Sequence, residues 1–270
     1  MTSEIWTLFG VNLAVMIAAM TLISIPSFST RDPSYIDAFW GIGFVIIATS
    51  SFVQASAGDF GDDTRKALLL GLCALWGLRL GGYLLWRWRK NGPDPRYQAI
   101  LKSRKGGSEK VFIWRRVFLT QAVLLTLVAL PVQLGQVYDD GMTVGNWIGA
   151  GLALFGILFE STADFQLAAF KGNPANKGVV MDKGLWHNTR HPNYFGETCT
   201  WWGLGILAVS NGVTVIALLG PVFITFLLLK VSGVGLLEKG LHKTRPKYAD
   251  YVATTSAFVP LPKKKAPVSA

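Results

Sequence analysis

The stretch GVTVIALLGPVFITFLLLKVS, residues 212–232, decides the fold class of this chain. Its first 18 residues carry no charged side chain, and a helix needs roughly 20 apolar residues to cross the hydrocarbon core of a bilayer. A signal peptide is the alternative for the first apolar run of the chain, although that run lacks a basic start and a small-residue cleavage site. The apolar runs lie near residues 5–25, 36–57, 67–86, 112–136, 144–170, 196–210 and 212–232. The sequence therefore predicts an all-α, polytopic membrane protein with seven transmembrane helices.

The composition of the chain agrees with this prediction. Of its 270 residues, 51% are hydrophobic and only 16% are charged, whereas about 25% charged residues is usual in soluble domains. This composition excludes a disordered chain, a collagen-like repeat and a disulfide scaffold. The net charge of +10 does not indicate a nucleic-acid partner, because apolar runs separate the basic residues instead of one face collecting them.

The distribution of basic residues predicts the orientation of the spans. If the N-terminus lies outside, 23 of the 26 Lys and Arg residues fall in the inner loops and the inner C-terminal segment. Only Arg65 and Lys66 then lie outside, and Arg79 lies within a span. The positive-inside rule requires this asymmetry. We therefore expect seven spans, an outer N-terminus and a cytoplasmic C-terminus.

Polar side chains within the first spans are candidates for function, since a charge inside a membrane is costly unless it is paired or faces a cavity. Asp37 opens the second span and Arg79 lies midway along the third. Tyr83 follows Arg79 by four residues, which places both on one helical face. Each also has a structural interpretation: Asp37 as a helix-capping acid, Arg79 as an ion-pair partner and Tyr83 as an interfacial anchor.

Two acids of the fifth span lie one helical turn apart. Glu160 and Asp164 share a face by their spacing of four residues, and no basic residue accompanies them on their own span. Glu197 opens the sixth span, where an acid also suits the helix dipole. We expect Glu160 and Asp164 to face a polar ligand or a basic loop.

The loop between the fifth and sixth spans is the densest polar stretch of the sequence. Lysine and arginine side chains suit phosphates, and asparagine amides both donate and accept hydrogen bonds as a carboxamide or nucleobase edge requires. The candidates in and after this loop are Lys171, Asn173, Asn176, Arg190, His191, Asn193 and Tyr194. Tyr248 and Tyr251 lie in a C-terminal segment that can fold back over the loop. The sequence thus predicts a cytoplasmic ligand site.

Metal binding is not indicated by the sequence. Cys73 and Cys199 lie inside predicted spans, and His187, His191 and His242 lack the spacing of metal ligands. The nucleotide-binding motifs of soluble folds are absent as well. We expect no metal, and any cofactor must be held in a way that these motifs do not describe.

A set of motifs in the second half of the chain resembles a known family. They are Ala163-Asp-Phe-Gln166, Phe170-Lys-Gly-Asn-Pro174, Gly184-Leu-Trp186, Arg190-His-Pro-Asn-Tyr-Phe-Gly-Glu-Thr-Cys-Thr-Trp-Trp-Gly203, Tyr251 and Phe258-Val-Pro260. Together they closely resemble the steroid 5-alpha-reductase-like membrane family, in its bacterial branch. The resemblance is specific over residues 150–262. It is looser before that, through Asp37-Ala-Phe-Trp-Gly41 and Arg79-Leu-Gly-Gly-Tyr83.

The resemblance implies a domain organisation and a location. In that family the last three spans and their cytoplasmic loops bind NADPH, and the first four spans enclose a lipid-like substrate. It implies a single membrane domain over residues 1–262, with substrate helices in 1–136, cofactor helices and loops in 137–262, and a basic tail in 263–270. We expect an integral protein of a bacterial inner membrane, in contact with the lipid bilayer and monomeric.

The resemblance also implies a cofactor, NADPH, and residues that contact it. Asp164, Asn193 and Glu197 stand where cofactor contacts of the family stand. The full set of candidate cofactor residues is Glu160, Asp164, Lys171, Asn173, Asn176, Arg190, His191, Asn193, Tyr194, Glu197, Tyr248 and Tyr251.

The implied reaction is reduction of a carbon–carbon double bond in a hydrophobic, carbonyl-activated lipid or steroid-like substrate. Such a reaction needs a proton donor near the carbonyl oxygen. Tyr83 is our candidate acid, with Arg79 to activate it and Asp37 to orient it. The Gln-Glu pair of the steroid-reducing members is not found, and Trp76 stands about where their proton-donating tyrosine would be.

Two other classes remain open. The Arg190-His-Pro-Asn-Tyr-Phe-Gly196 motif followed by Glu197 also resembles the isoprenylcysteine carboxyl methyltransferase family, whose loops bind S-adenosylmethionine. Against this, Glu238 is followed by Lys239 where a Glu-Glu pair would be expected. The third class is a non-catalytic membrane scaffold, for which the missing Gln-Glu pair is the main argument.

Overall fold

The structure, a computed structural model, describes residues 2–212, 214–231 and 233–264. Its α-helices are α1 (Thr2–Ser24), α2 (Ser27–Thr30), α3 (Ile36–Ala57), α4 (Asp63–Asn91), α5 (Pro95–Lys102), α6 (Glu109–Ile113), α7 (Thr120–Val128), α8 (Leu130–Leu134), α9 (Val144–Gly172), α10 (Pro192–Ala208), α11 (Leu219–Phe226), α12 (Val234–Thr244) and α13 (Tyr248–Thr254). Also present are the π-helical turns Trp114–Leu119 and Leu227–Val231 and the 3-10 turns Pro174–Asn176, Gly184–His187 and Thr214–Leu218. Within these described ranges no strand occurs, and the predicted all-α class is confirmed.

Six helical segments in the described part of the chain are long and apolar enough to cross a membrane. They are Ser3–Ser24, Ile36–Ala57, Asp63–Asn91, Glu109–Val128, Val144–Gly172 and Thr214–Val231. Each overlaps one of the predicted apolar runs. The remaining run, 196–210, falls on α10, which has 17 residues and is not among the six. The chain therefore has helices of membrane-spanning length, whereas the seventh span and the orientation of the termini stay predictions.

The chain forms two compact units. The first comprises the residues up to Ala150 together with Leu204–Gly220, and the second comprises Gly151–Gly203 together with the residues from Pro221 onward. Of the predicted basic tail 263–270, only Lys263 and Lys264 are described. Residues 265–270 lie outside the described residues.

Close contact between α3 and α4 organises the first unit. A Cβ atom at Gly41 would overlap the carbonyl oxygen of Gly77 and would lie 2.9 Å from the backbone nitrogen of Gly81. Glycine at all three positions thus lets the two helix backbones touch, as small residues do in membrane helix pairs. Asp37, at the first turn of α3, is thereby fixed relative to α4 and to the segment that follows α4.

Amide side chains stabilise a helix break inside the first unit. Pro131 has no N–H to donate, and it interrupts the helix within the predicted run 112–136. Close to the break, Gln133 Nε2 donates to the carbonyl oxygen of Thr126 over 2.8 Å. Asn12 Nδ2 in turn donates to Gln133 Oε1 over 3.0 Å, and both amides are fully buried. These hydrogen bonds connect α1 to α8 and satisfy polar groups that would be costly in hydrocarbon.

The two basic residues that were expected outside the membrane are buried in the first unit, where they bond to other residues of that unit. Arg65 is fully buried and donates to the carbonyl oxygens of Tyr138 (2.9 Å) and Gly141. Lys66 is also buried, and its ammonium lies 2.9 Å from Asp63. Both side chains therefore hold the chain around the start of α4.

Glycine also brings α9 and α10 together in the second unit. A Cβ atom at Gly156 would overlap the backbone nitrogen of Thr200. A Cβ atom at Gly196 would lie 2.6 Å from the backbone nitrogen and 2.8 Å from the Cα of Glu160. The acidic face of α9 therefore lies directly against the first turns of α10.

Candidate functional site

Two buried acids of α9 face the beginning of α10. Glu160 and Asp164 are almost fully buried, and Gly196 of α10 lies over the backbone of Glu160. Asn193 Nδ2 donates to Asp164 Oδ1 over 3.4 Å. Glu197, one turn after Asn193, is half-buried on the same face of α10. Four of the predicted cofactor residues therefore lie along one contact between two helices.

Arg190, just before α10, is held by other groups of the second unit. Its Nε lies 2.7 Å from Glu238 Oε1, and one terminal nitrogen donates to the carbonyl oxygen of Thr255 over 2.6 Å. His191 Nε2 lies 3.1 Å from the same oxygen of Glu238. The Arg190 side chain is only 9% exposed. The Arg190 guanidinium therefore connects α12 and the C-terminal segment to the start of α10. Its contact with a phosphate stays a prediction.

The environment of this cluster shifts its pKa values. Burial alone would raise the pKa of Glu238, but the hydrogen bonds from Arg190 and His191, with the positive charge of Arg190, outweigh it and lower that pKa. Burial lowers the pKa of His191, and the Glu238 carboxylate opposes this only in part. Burial, then the negative charge of Glu238, raises the pKa of Tyr248 to about 12. At neutral pH the cluster therefore holds Glu238 charged and His191 neutral.

These shifts predict the direction of the pH dependence of stability. The ordinary pKa values are 6.5 for His191 and 4.5 for Glu238, and the fold lowers both. Below those values the unfolded chain binds more protons than the folded protein, so the free energy of unfolding falls as the pH falls. We expect the melting temperature to drop from about pH 6.5 downward through His191, and further below about pH 4.5 through Glu238. In His191→Gln the first drop should be smaller; an equal drop in variant and wild type would contradict this assignment.

The C-terminal segment folds back onto the loop before α10. Tyr251 is buried, and its hydroxyl donates to the carbonyl oxygen of Trp186. Lys263 Nζ lies 2.6 Å from Asp182 Oδ2 and 5.8 Å from the centre of the Tyr251 ring. Burial, and then the charge of Asp182, raises the pKa of Tyr251, so its phenol stays protonated. Tyr251 therefore connects the C-terminal segment to the loop before α10.

The other aromatic candidates pack within the same cluster. The Tyr194 ring lies parallel to the His191 ring, with centroids 5.6 Å apart and 4° between the planes. Tyr248 is 2% exposed and contacts Tyr251, with centroids 5.9 Å apart. The first contact orders the start of α10, which carries Asn193 and Glu197, and the second lies within α13.

The loop asparagines shape the backbone after α9. Asn173 Oδ1 accepts from the backbone nitrogen of Ala175 over 3.0 Å, and Asn176 Nδ2 donates to the carbonyl oxygen of Phe170 over 2.8 Å. Lys171 is exposed at the end of α9. The two amides thus order the loop that carries Lys171, and their contact with a cofactor stays a prediction.

A second polar cluster lies in the first unit, where α3 begins. Tyr97 donates its hydroxyl to Asp37 Oδ1 over 2.5 Å, and Arg96 donates to Asp37 Oδ2 over 2.6 Å. Arg96 also bonds Asp94, the N-cap of α5. Tyr97 is only 6% exposed, and burial, followed by the charge of Asp37, strongly raises its pKa. The structure thus gives Asp37 two partners that place a protonated phenol beside a carboxylate.

The other two catalytic candidates lie further along α4. Tyr83 is half-buried and stacks on Trp86, with ring centroids 5.9 Å apart. Arg79 is half-buried one turn earlier on the same face. Their assignment as acid and activating cation stays a prediction, whereas Asp37 contacts Arg96 and Tyr97.

Sequence reasoning missed three residues of these clusters: Glu238, Tyr97 and Arg96. Glu238 is 47 residues away from His191 in the chain, so no helical spacing relates the two. For the other two residues a weak indication exists: Asp94 followed by proline is typical of a helix start, which predicts that α5 presents Arg96 and Tyr97 from an ordered turn instead of a loose basic loop.

Comparison with known proteins adds the following. A segment of 76 residues is 34% identical to the "Probable O-methyltransferase ustE" of Ustilaginoidea virens, covering 27% of this chain and 26% of that protein. The chain thus matches about a quarter of that protein's length. No solved structure matches this chain. The family model described as "Protein of unknown function (DUF1295)" matches residues 25–255. Because this match covers most of the chain, the protein belongs to the DUF1295 family.

Proposed function

We propose that the protein is an NADPH-dependent reductase of a carbon–carbon double bond in a hydrophobic, carbonyl-activated lipid or steroid-like substrate. The observation that carries the proposal is the buried pair of acids at the α9–α10 contact, with Asn193 bonded to Asp164. Carboxylates accept hydrogen bonds from ribose hydroxyls and from the NH₂ group of a carboxamide, and an amide side chain both donates and accepts hydrogen bonds. These side chains fit the nicotinamide and ribose end of a dinucleotide.

The position of Lys171 supports a ligand with phosphates. Lys171 follows Asp164 by seven residues of α9, which is two turns and about 10 Å along one helical face. It is exposed, and the loop after it carries Lys177 and Lys183, both also exposed. A dinucleotide extends from its nicotinamide to its phosphates over such a distance, whereas S-adenosylmethionine has no phosphate. The carboxylates and the lysines together therefore favour NADPH.

The reduction requires a hydride, which NADPH supplies when bound, and a proton donor that stabilises charge on the carbonyl oxygen. Among the residues of the first unit, Tyr97 has the properties of this donor. Its raised pKa keeps the phenol protonated, and its hydroxyl, which donates to Asp37 Oδ1, would have to turn from Asp37 to the carbonyl oxygen of the substrate to give up its proton. Arg96 lies on the same carboxylate and would stabilise the negative charge left after proton transfer.

This assignment predicts the effect of removing one hydroxyl. Tyr97→Phe should lower kcat by at least about tenfold, because general acid catalysis contributes that much or more, and should leave the affinity for NADPH unchanged. Tyr83→Phe is the matched variant, since it removes the same group from α4. If Tyr83→Phe loses turnover and Tyr97→Phe keeps full turnover, Tyr83 is the proton donor and the assignment to Tyr97 is wrong.

Transfer of deuterium tests the proposed reaction directly. Purified protein would be incubated with NADPH deuterated at C4 and a membrane lipid extract, and the lipids analysed by mass spectrometry. We expect one lipid to gain one deuterium from the cofactor and one hydrogen from water. If no lipid gains deuterium, although the protein binds NADPH, the reductase proposal is wrong.

A methyltransferase is the second candidate, favoured by the match to the "Probable O-methyltransferase ustE". Under this alternative, the acids at the α9–α10 contact would face the cationic S-adenosylmethionine. The same incubation with S-adenosylmethionine labelled in its methyl group separates the two candidates, because a methylated lipid would then carry the label.

A further inference from the structure

The cytoplasmic end of α4, as the charges orient it, projects beyond the membrane core. The helix has 29 residues and is therefore about 43 Å long, whereas the hydrocarbon core is about 30 Å thick. Trp86 near this end is 48% exposed, and Lys90 Nζ lies 5.2 Å from the centre of its ring. A half-exposed tryptophan with a cation over its ring is typical of the headgroup region, where one end of the ring is apolar and the other wet.

The segment that follows carries an excess of basic residues. Residues 87–116 hold ten Lys and Arg side chains but only two acids. Asp94 pairs with Arg96. Glu109 lies between Arg31 (3.2 Å) and Arg104 (3.8 Å). The other eight cations are exposed: Arg87, Arg89, Lys90, Lys102, Lys105, Lys110, Arg115 and Arg116. Both acids of the segment thus form ion pairs, with Arg96 in one case and with Arg31 and Arg104 in the other.

Both ends of this basic segment are fixed to helices of spanning length. Arg87, Arg89 and Lys90 belong to the last turns of α4, and Arg115 and Arg116 lie in the helical segment Glu109–Val128. The cations between them are therefore attached at both ends close to the layer in which lipid phosphates are expected. A soluble polyanion would have to enter this layer, whereas a lipid phosphate is already present there.

We propose that Trp86, Lys90 and the exposed cations of residues 87–116 form a binding surface for the phosphate groups of anionic phospholipids. Trp86 contacts the lipid glycerol and acyl region. Lys90, held above the ring, binds the phosphate, and Arg89 with Arg115 and Arg116 extend the positive surface to neighbouring headgroups. This surface lies outside the proposed cofactor site, and the proposal does not depend on the reductase function.

The test is lipid binding by the full chain in a neutral detergent, measured by native mass spectrometry with phosphatidylglycerol and phosphatidylcholine. We expect phosphatidylglycerol to bind more tightly than phosphatidylcholine. Lys90→Gln should weaken it about fivefold, the effect of one charge near an anionic lipid surface, and Arg89→Gln/Lys90→Gln should weaken it more. Lys247→Gln removes another exposed charge elsewhere and should leave binding unchanged. All variants should melt like the wild type without lipid.

Three results would overturn the proposal. Equal binding of the two lipids by the wild-type protein would show that phosphatidylglycerol is not recognised. An equal loss in Lys247→Gln would show that only net charge matters. Displacement of phosphatidylglycerol by an equimolar single-stranded oligonucleotide would show a general polyanion surface, and the assignment to lipid would be wrong.

Discussion

Gly196→Val should prevent the second unit from folding stably. A Cβ atom at this position would lie 2.6 Å from the backbone nitrogen of Glu160, and a backbone cannot move aside as a flexible side chain does. The helices α9 and α10 would have to separate, which costs more than the roughly 1–3 kcal/mol of ordinary overpacking. Separation would also pull Asn193 away from Asp164. We expect aggregation on purification, or a melting temperature lower by many degrees, together with loss of cofactor binding.

Gly151→Val is the matched control for this variant. Gly151 lies on α9, the helix that Gly196 of α10 contacts, and a Cβ atom there would meet no atom within 4 Å. The same added side chain should therefore leave the melting temperature close to that of the wild type. A Gly196→Val protein that melts like Gly151→Val would contradict the close contact between α9 and α10.

Glu238→Ala should have the second large effect, because one carboxylate serves both Arg190 and His191. Removing it leaves the Arg190 guanidinium, which is only 9% exposed, without its counter-charge. Loss of one partner of a buried ion pair costs about 3–5 kcal/mol, and the partial exposure of Glu238 places our expectation near the lower end. The melting temperature, measured at pH 7.5, should fall by several degrees.

Two further variants make the Glu238 experiment specific. Glu238→Gln keeps the shape and one acceptor for Arg190, so it should lose less stability than Glu238→Ala. Asp250→Ala removes an exposed acid of α13 and should change little. If Glu238→Ala and Asp250→Ala melt at the same temperature, the Arg190–Glu238 contact does not stabilise the second unit.

The sequence predicted the helices much better than the contacts between them. Unbroken apolar runs follow from the thickness of the bilayer, so the second run matches Ile36–Ala57 at both ends. The break at Pro131 was less visible, because the apolar pattern continues across it to residue 136. Gly77-Leu-Arg-Leu-Gly81 has the spacing of a helix contact, but only the structure shows that its partner is Gly41 of the same chain.

For the candidate site, the sequence indicated which residue types are unusual but not which residues meet. The spacing of Glu160 and Asp164 predicted a shared face, because helical periodicity is local. The contact of Glu238 with Arg190 joins residues 48 positions apart, and that of Tyr97 with Asp37 joins residues 60 apart. No local periodicity encodes such distances, so these partners had to come from the structure.

The central claim is that the second unit binds a dinucleotide through Asp164, Asn193 and Lys171. The most direct measurement is the melting temperature of the purified protein with NADPH, NADH or S-adenosylmethionine, each at a hundred times its dissociation constant or at the solubility limit. A ligand at that excess stabilises by about 2.7 kcal/mol. We predict that NADPH raises the melting temperature of the wild type and of Lys247→Gln, but not of Asp164→Ala. Stabilisation by S-adenosylmethionine, with none by NADPH, would contradict the claim and establish a methyltransferase cofactor in its place.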